Sequence, residues 1–346
     1  MIKMICISII FLLATFAEGF SEVVVPPPPI DIDISNSSFE KIDSTKFRIR
    51  DLVAPAYPGS YWVDFLWDRD QLLFQPTGVG EETSSPFGIK VAFVSKNGEH
   101  YSDPVAAMND IASWCGTPSE TNPCLVKILP GVYDIGTNTL QMQPYVDIEG
   151  SGEKVTKIRG NVGSNDSPDV GVINSANAEI RFVTAENTGG SNYSIAISSY
   201  DINTKITNVT IVASGGVVKN YGFYSAYFFM PLPATLLNMT NVTINTSGGS
   251  SNYGVYKEHN PMGAYPIKME NVAITSDMGE ANYGIYANEG TRINNSTIKA
   301  GTVIYNSGGT IGVTNTLIDG LVSGPGTTKC AGVYDENFTF YANTCP

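Results

Sequence analysis

The chain has 346 residues and 42% hydrophobic content, enough for a substantial core in one large or two modest domains. Only 15% of residues are charged and 34 are glycine, a balance that favours a turn-rich β protein over a helical or disordered chain. The formal net charge of −13 argues against nucleic acid and anionic membrane as partners, since both repel an acidic surface.

In chain order, residues 1–19 read as an export signal: Lys3, an apolar run over 5–16, and Ala17-Glu18-Gly19 as a small-x-small cleavage site. The run is too short to span a bilayer comfortably, and no later stretch offers 18 apolar residues, so no transmembrane span is expected after cleavage. Residues 20–45 read as a linker, with Val23-Val24-Val25 followed by Pro26-Pro27-Pro28-Pro29. Residues 46–90 read as a small β accessory segment. Tyr61-Trp62-Val63-Asp64-Phe65-Leu66-Trp67 alternates like a strand and Leu72-Leu73-Phe74 supplies a second; the two tryptophans suit either packing or a sugar platform.

The main domain is expected over 91–346. Val91-Ala92-Phe93-Val94 opens it as a strand, and Asp103-Pro104 then starts a helix, because Asp caps free backbone N–H groups and Pro fits the first turn. Val105, Met108 and Ala112 give that helix one apolar face, with which it covers the open end of the strand stack C-terminal to it. Beyond it come short strands separated by Gly, Pro and Asn turns: Leu125-Val126-Lys127-Ile128-Leu129, Gly131-Val132-Tyr133, Val146-Asp147-Ile148-Glu149 and Val155-Thr156-Lys157-Ile158. No helices intervene, which points to a parallel β coil rather than a doubly wound sheet.

A repeated phrase then takes over. Asn-Tyr-Gly-hydrophobic-Tyr occurs at 220–224, 252–256 and 282–286; Asn-Val-Thr-Ile or a close variant begins at Asn208, Asn241, Asn271, Asn295 and Asn315. Steps of 33, 30, 24 and 20 residues between those asparagines are the signature of stacked rungs. Alternation along each strand assigns Ile211, Ile244, Ile274, Ile298 and Ile318 to the interior, and Thr210, Thr243, Ala273 and Thr297 to the outside. The asparagines hold the turn, where they tolerate left-handed backbone and bond to their copies above and below. They also form glycosylation-like sequons, a match that follows from composition.

Phe223, Val255 and Ile285 share one face, so Tyr224, Tyr256, Tyr286 and, after Val303-Ile304, Tyr305 share the opposite one. Such a surface column serves either to stack sugar rings or to stabilise the sheet by aromatic contact. Insertions at 225–240, with Tyr227-Phe228-Phe229-Met230, and at 257–270, with Lys257-Glu258-His259, fall at one corner, where solenoids gather binding loops. Only the second tyrosine of each phrase and these insertions are left over for function. The candidate ligand-binding residues are therefore Tyr224, Tyr256, Tyr286, Tyr305, Tyr227, Phe228 and His259.

Cys115, Cys124, Cys330 and Cys345 remain after signal removal; two disulfides in an exported chain, Cys115–Cys124 and Cys330–Cys345, are the economical pairing. A zinc site would need both pairs to converge, with His100 and His259 as the only histidines, so no metal and no cofactor is expected. Glu258, Glu270, Asp277, Glu280 and Glu289 recur at no common position, so no catalytic residue is assigned; Lys257-Glu258-His259 with Arg292 is the one acid, base and cation grouping to test.

Val94-Ser95-Lys96-Asn97-Gly98, the helix from Asp103, Lys127-Ile128-Leu129-Pro130-Gly131-Val132-Tyr133 and Ile148-Glu149-Gly150-Ser151-Gly152 resemble the opening of the pectin lyase-like superfamily, especially pectin methylesterases. The later repeats and the closing Cys330-Ala331-Gly332-Val333-Tyr334-Asp335 are similar to exported bacterial right-handed β-helix proteins. The resemblance implies an all-β, right-handed parallel β-helix with one short N-terminal capping helix. It does not extend to catalysis: the Gln-Asp-Thr, Asp-Phe-Ile-Phe-Gly and Gly-Arg-Pro-Trp segments of the esterases do not occur, nor do the signatures of polygalacturonases or pectate lyases. The expected function is an exported, non-catalytic β-helix that binds a polysaccharide or cell-surface glycan, or serves as an adhesion or structural element. The alternative is a diverged pectin esterase or lyase.

Overall fold

The computed structural model describes four strands within 38–81 by their backbone, and residues 89–97, 100–166, 168, 170–199, 203–225, 237–258, 266–288 and 290–346 in full. Residues 1–19, read above as an export signal, the proline tract, Tyr227, Phe228 and His259 lie outside the described residues. The chain divides into two compact units, Met1–Phe87 and Gly88–Pro346.

In the first unit, Ser38–Lys41, Lys46–Ala54, Tyr57–Asp68 and Leu73–Glu81 form an antiparallel sheet in sequence order. The first of these strands falls inside the tract read as linker, and it pairs in register with the second from Ser38↔Arg50 to Lys41↔Phe47.

The second unit is a right-handed parallel β-helix whose rungs expose three faces. The first face begins with Lys90–Val94, Cys124–Ile128, Val146–Glu149 and Glu179–Arg181. The second begins with Gly131–Asp134, Thr156–Gly160 and Thr184–Asn187. From Lys205–Ala213 onward one strand serves both faces, bending at Asn208, and Leu237–Ser247 and Ile267–Asp277 repeat it at Asn241 and Asn271. The third face stacks Leu140–Gln141, Ile173–Ser175, Tyr193–Ser199, Lys219–Ser225, Ser251–Lys257 and Ala281–Ala287. The C-terminal parts of Thr297–Asn306 and Leu317–Ser323 continue it.

The asparagine corner follows from backbone sterics. Asn208, Asn241, Asn271, Asn295 and Asn315 have φ between 48° and 55°, a left-handed region that Asn enters more cheaply than other residues with a side chain. Their amides chain along the axis: Asn241 Nδ2 donates to Asn208 Oδ1 at 3.0 Å, and Asn271 Nδ2 to Asn241 Oδ1 at 2.7 Å. Inside, Ile211, Ile244, Ile274, Ile298 and Ile318 are at most 2% exposed, as the alternation requires. Each such burial stabilises by about 2 kcal/mol on an area scale. Thr210 and Thr243 are half-buried outside, while Ala273 and Thr297 are exposed.

A second asparagine column lies within. Asn220 Nδ2 donates to Asn252 Oδ1 at 3.0 Å, and Asn252 Nδ2 to Asn282 Oδ1 at 2.9 Å, while these carbonyls accept the N–H groups of Gly216, Gly249 and Gly279. The first residue of the repeated phrase therefore fixes the turn entering the third face.

The end-capping helix spans Pro104–Asn109, with Asp103 Oδ1 accepting from the N–H groups of Val105 and Ala106 at 2.8 and 2.9 Å. Its buried residues are Pro104, Ala107 and Met108, not the expected set: Val105 is half-buried and Ala112 is exposed. A break at Asp110, after which Ile111–Trp114 starts a separate turn, takes Ala112 out of phase with the helix, while Val105 packs at the edge of the core. The disulfides Cys115–Cys124 and Cys330–Cys345 form as expected, one near each end of the coil. They close segments of 9 and 15 residues, each worth about 3 kcal/mol in the chain-entropy picture.

Candidate functional site

On the third face, Tyr224, Tyr256, Tyr286 and Tyr305 stand in register as one outer column, with ring centroids 5.4, 4.9 and 4.8 Å apart and planes within 18° of parallel. Beside it runs a second column not foreseen in the sequence. Tyr221, Tyr253 and Tyr283 stack at 5.0 and 4.9 Å, and each also meets a ring of the first column edge-on, as Tyr221 does Tyr224 at 5.1 Å.

Simple alternation would turn Tyr221 inward with Phe223. The glycine between them prevents it. A Cβ built on Gly222 would lie 2.4 Å from Ile244 Cγ2 and 2.7 Å from the carbonyl oxygen of Gly254, so this position itself points into the core. Positions 222 and 223 then both face inward, and the flanking tyrosines both face outward. Gly254 and Gly284 repeat the arrangement at the next two rungs.

Exposure is graded along the columns. Tyr221, Tyr224 and Tyr253 are 2%, 6% and 8% exposed, whereas Tyr256, Tyr283, Tyr286 and Tyr305 are half-buried. Tyr224, expected as a surface ligand-binding residue, is therefore buried. N-terminally its column continues as a hydrogen-bonded polar row. Asn174 Nδ2 donates to Gln141 Oε1 at 2.6 Å, Ser198 Oγ to Asn174 Oδ1 at 3.0 Å, and the Gly171 N–H to Ser198 Oγ at 3.0 Å.

Ring orientation limits what the columns can hold. Because the tyrosines stack on one another, most ring faces are occupied by neighbours at about 5 Å. The surface offers ring edges and hydroxyls instead. Each stacked pair contributes about 1 kcal/mol beyond area burial, which accounts for the buried half of the columns without any ligand.

Burial pushes the Tyr253 hydroxyl up to about 12, with Tyr283 and Tyr256 adding to the shift; Tyr221, Tyr256 and Tyr286 are raised by burial as well. Below about pH 10 the folded and unfolded chains both keep these protons, so the columns contribute fully. Above it the unfolded phenols ionise first, and stability falls as pH rises toward the folded values. In a spectrophotometric alkaline titration, Tyr221, Tyr253, Tyr256 and Tyr286 are expected to ionise later than free tyrosine and to do so together with unfolding. Titration of all tyrosines at the free value in a folded chain would contradict this geometry.

The strongest acid–base grouping lies on the first face. Arg181 bonds Glu149 through Nε at 2.7 Å, and Asp147 and Glu179 through Nη1 at 3.0 Å each, while Lys127 Nζ meets Glu149 Oε1 at 2.5 Å. Burial raises the Glu149 carboxyl, but the hydrogen bonds from Lys127 and Arg181 outweigh it and hold the group below the usual carboxylate range. Burial likewise opposes charge on Arg181, yet Glu149, Asp147 and Glu179 raise it. Such a saturated network stays charged at neutral pH, which is unsuited to a general acid. A like pattern holds on the second face, where Lys157 and Arg159 bond Glu186 at 3.1 and 2.5 Å.

Of the grouping proposed for testing, Lys257 is buried at the end of the strand Ser251–Lys257, Glu258 and Arg292 are exposed, and His259 lies outside the described residues. A groove of about 280 Å³ follows the asparagine corner between Asn241, Asn271 and Asn295, and no ionisable side chain lines it. Among the described residues, no group of three or more His, Cys, Asp or Glu side chains could hold a metal ion, and no helix is long and apolar enough to cross a membrane.

No known family profile matches the chain, and no curated protein matches it. Solved structures do. A rice weevil pectin methylesterase is 14% identical, with a TM-score of 0.44 over 71% of this chain and 81% of its own. A pectin methylesterase of Erwinia chrysanthemi is 14% identical, with a TM-score of 0.38 over 72% and 84%. The A-module of a mannuronan C-5 epimerase of Azotobacter vinelandii is 12% identical, with a TM-score of 0.39 over 70% and 75%.

Proposed function

We propose that the protein is an exported, non-catalytic β-helix that binds a glycan along the exposed half of its twin tyrosine columns, as an adhesion element of a cell surface. One observation carries this reading: Tyr256, Tyr283, Tyr286 and Tyr305 form a regular, half-exposed aromatic and hydroxyl surface where the rungs require no aromatic residue for core packing. Two disulfides fit an oxidising compartment. The carboxylates best grouped for catalysis are engaged with Arg181 and Lys127, which favours the non-catalytic reading over a diverged esterase or lyase.

A glycan array and a polysaccharide pull-down on the mature protein test it. Binding is expected, with loss on replacing Tyr256 and Tyr286 by Ala and retention when Phe keeps the stack at Tyr286. Absence of any glycan binding, or binding indifferent to the double Ala variant, removes the proposal.

A further inference from the structure

The tyrosine columns end before the coil does. Tyr305 stacks on Tyr286 at 4.8 Å with planes 11° apart, and the edge of Tyr283 meets it at 6.1 Å. The next position of its column is Ser323, and the neighbouring column passes from Tyr283 through Thr302 to Leu321. Tyr305 therefore has one aromatic neighbour on the face toward Tyr286, and beyond its opposite face the column steps down from a ring to a hydroxymethyl group. Leu321, 59% exposed, stands beside that step. Among the described residues, strand pairing onto Leu317–Ser323 from the C-terminal side stops at Ile318, so no strand stacks over 319–323.

We infer that the free face of Tyr305, the small side chain of Ser323 and the exposed Leu321 form a slot that takes one ring of a neutral glycan by stacking. This rests on the glycan-binding reading and sharpens it. Between stacked rungs of the columns a sugar meets edges and hydroxyls, whereas at this end of the outer column it meets a ring face, with the next rung recessed. A pyranose fits because it pairs an apolar C–H face with a hydroxyl rim, matching an aromatic face beside Ser323 and Thr302. The ligand is uncharged because the flanking positions, Thr302, Leu321 and Ser323, carry no charge to pair with a uronate.

The test titrates the mature protein with cellohexaose and with a galacturonate hexasaccharide, while thermal melting of each variant reports its fold. Cellohexaose is expected to bind, to weaken roughly tenfold on Tyr305→Ala, and to change by less than about twofold on Tyr305→Phe, which keeps the face. Ser323→Tyr extends the column into the slot and is expected to weaken binding as Tyr305→Ala does. Wild-type affinity in folded Tyr305→Ala, with loss in Tyr286→Ala, overturns the slot while leaving binding along the columns intact. Preference for the galacturonate probe overturns the neutral class, and failure of both sugars and of the array overturns the slot and the glycan-binding reading together.

Discussion

Replacing Gly254 by Ala is expected to cost about 3 kcal/mol, lowering the melting temperature by roughly 6–12 °C in a domain of this size. The added Cβ would sit 2.3 Å from Ile274 Cγ2 and 2.6 Å from the carbonyl oxygen of Gly284. The methyl group could yield by a rotamer change, but the carbonyl belongs to the next rung and cannot retreat without displacing Ala281–Ala287. Relief would come from rotating the strand, which would turn Tyr253 or Tyr256 out of its stack. Gly308 is the control: nothing lies within 4 Å of its would-be Cβ, so Gly308→Ala is expected to be neutral or slightly stabilising. Equal melting temperatures for the two variants, measured by calorimetry, would remove the explanation given for the outward turn of Tyr221 and Tyr253.

Arg181→Ala should be nearly as damaging at neutral pH, by about 2–3 kcal/mol, because Asp147, Glu149 and Glu179 then face one another, with Lys127 keeping its ion pair to Glu149. The figure sits below that for a fully buried pair, since Asp147 is 36% and Glu179 25% exposed. Its pH dependence has a definite sign. In the native protein Glu149 is held below its ordinary value, so its contribution is present above the unfolded value of about 4.3 and is lost as pH falls through the folded one. Without Arg181 the crowded carboxylates gain by taking up protons. The deficit relative to the native protein should therefore shrink between about pH 7 and pH 4. Urea unfolding at both pH values measures it, and a deficit that grows on acidification would contradict the ion-pair account.

The sequence disclosed those parts of the coil whose physics is local. Ile211 and its copies announce the interior by alternation, and Asn208 and its copies announce the left-handed corner because few other residues accept that backbone. Asp103-Pro104 marked the helix start correctly, although the break at Asp110 put Ala112 out of phase and the helix buries Pro104 and Ala107 beside Met108. The site was less legible. Ring orientation depends on contacts between rungs, so the sequence placed Tyr256 and Tyr286 outside without showing that their faces consume each other. Tyr221 was missed because period-two alternation was carried across Gly222, although the same glycine at 254 and 284 signalled the irregularity. The first-face ion pairs were hidden by distance along the chain. Aligning Ile148 with Ile180 would have set Glu149 beside Arg181, which is their register.

The matched registers also make the coil a unit of measure. Ser251–Lys257 meets Lys219–Ser225 in the same alignment by which Ala281–Ala287 meets Ser251–Lys257, one step of the latter pair being 30 residues. Excising or duplicating one such turn would rejoin Asn to Asn and Tyr to Tyr while leaving the helix-covered beginning and the disulfide-tied end untouched. The reach of the tyrosine surface is thus a count of turns, and a lineage can lengthen or shorten it in whole steps without rebuilding either end.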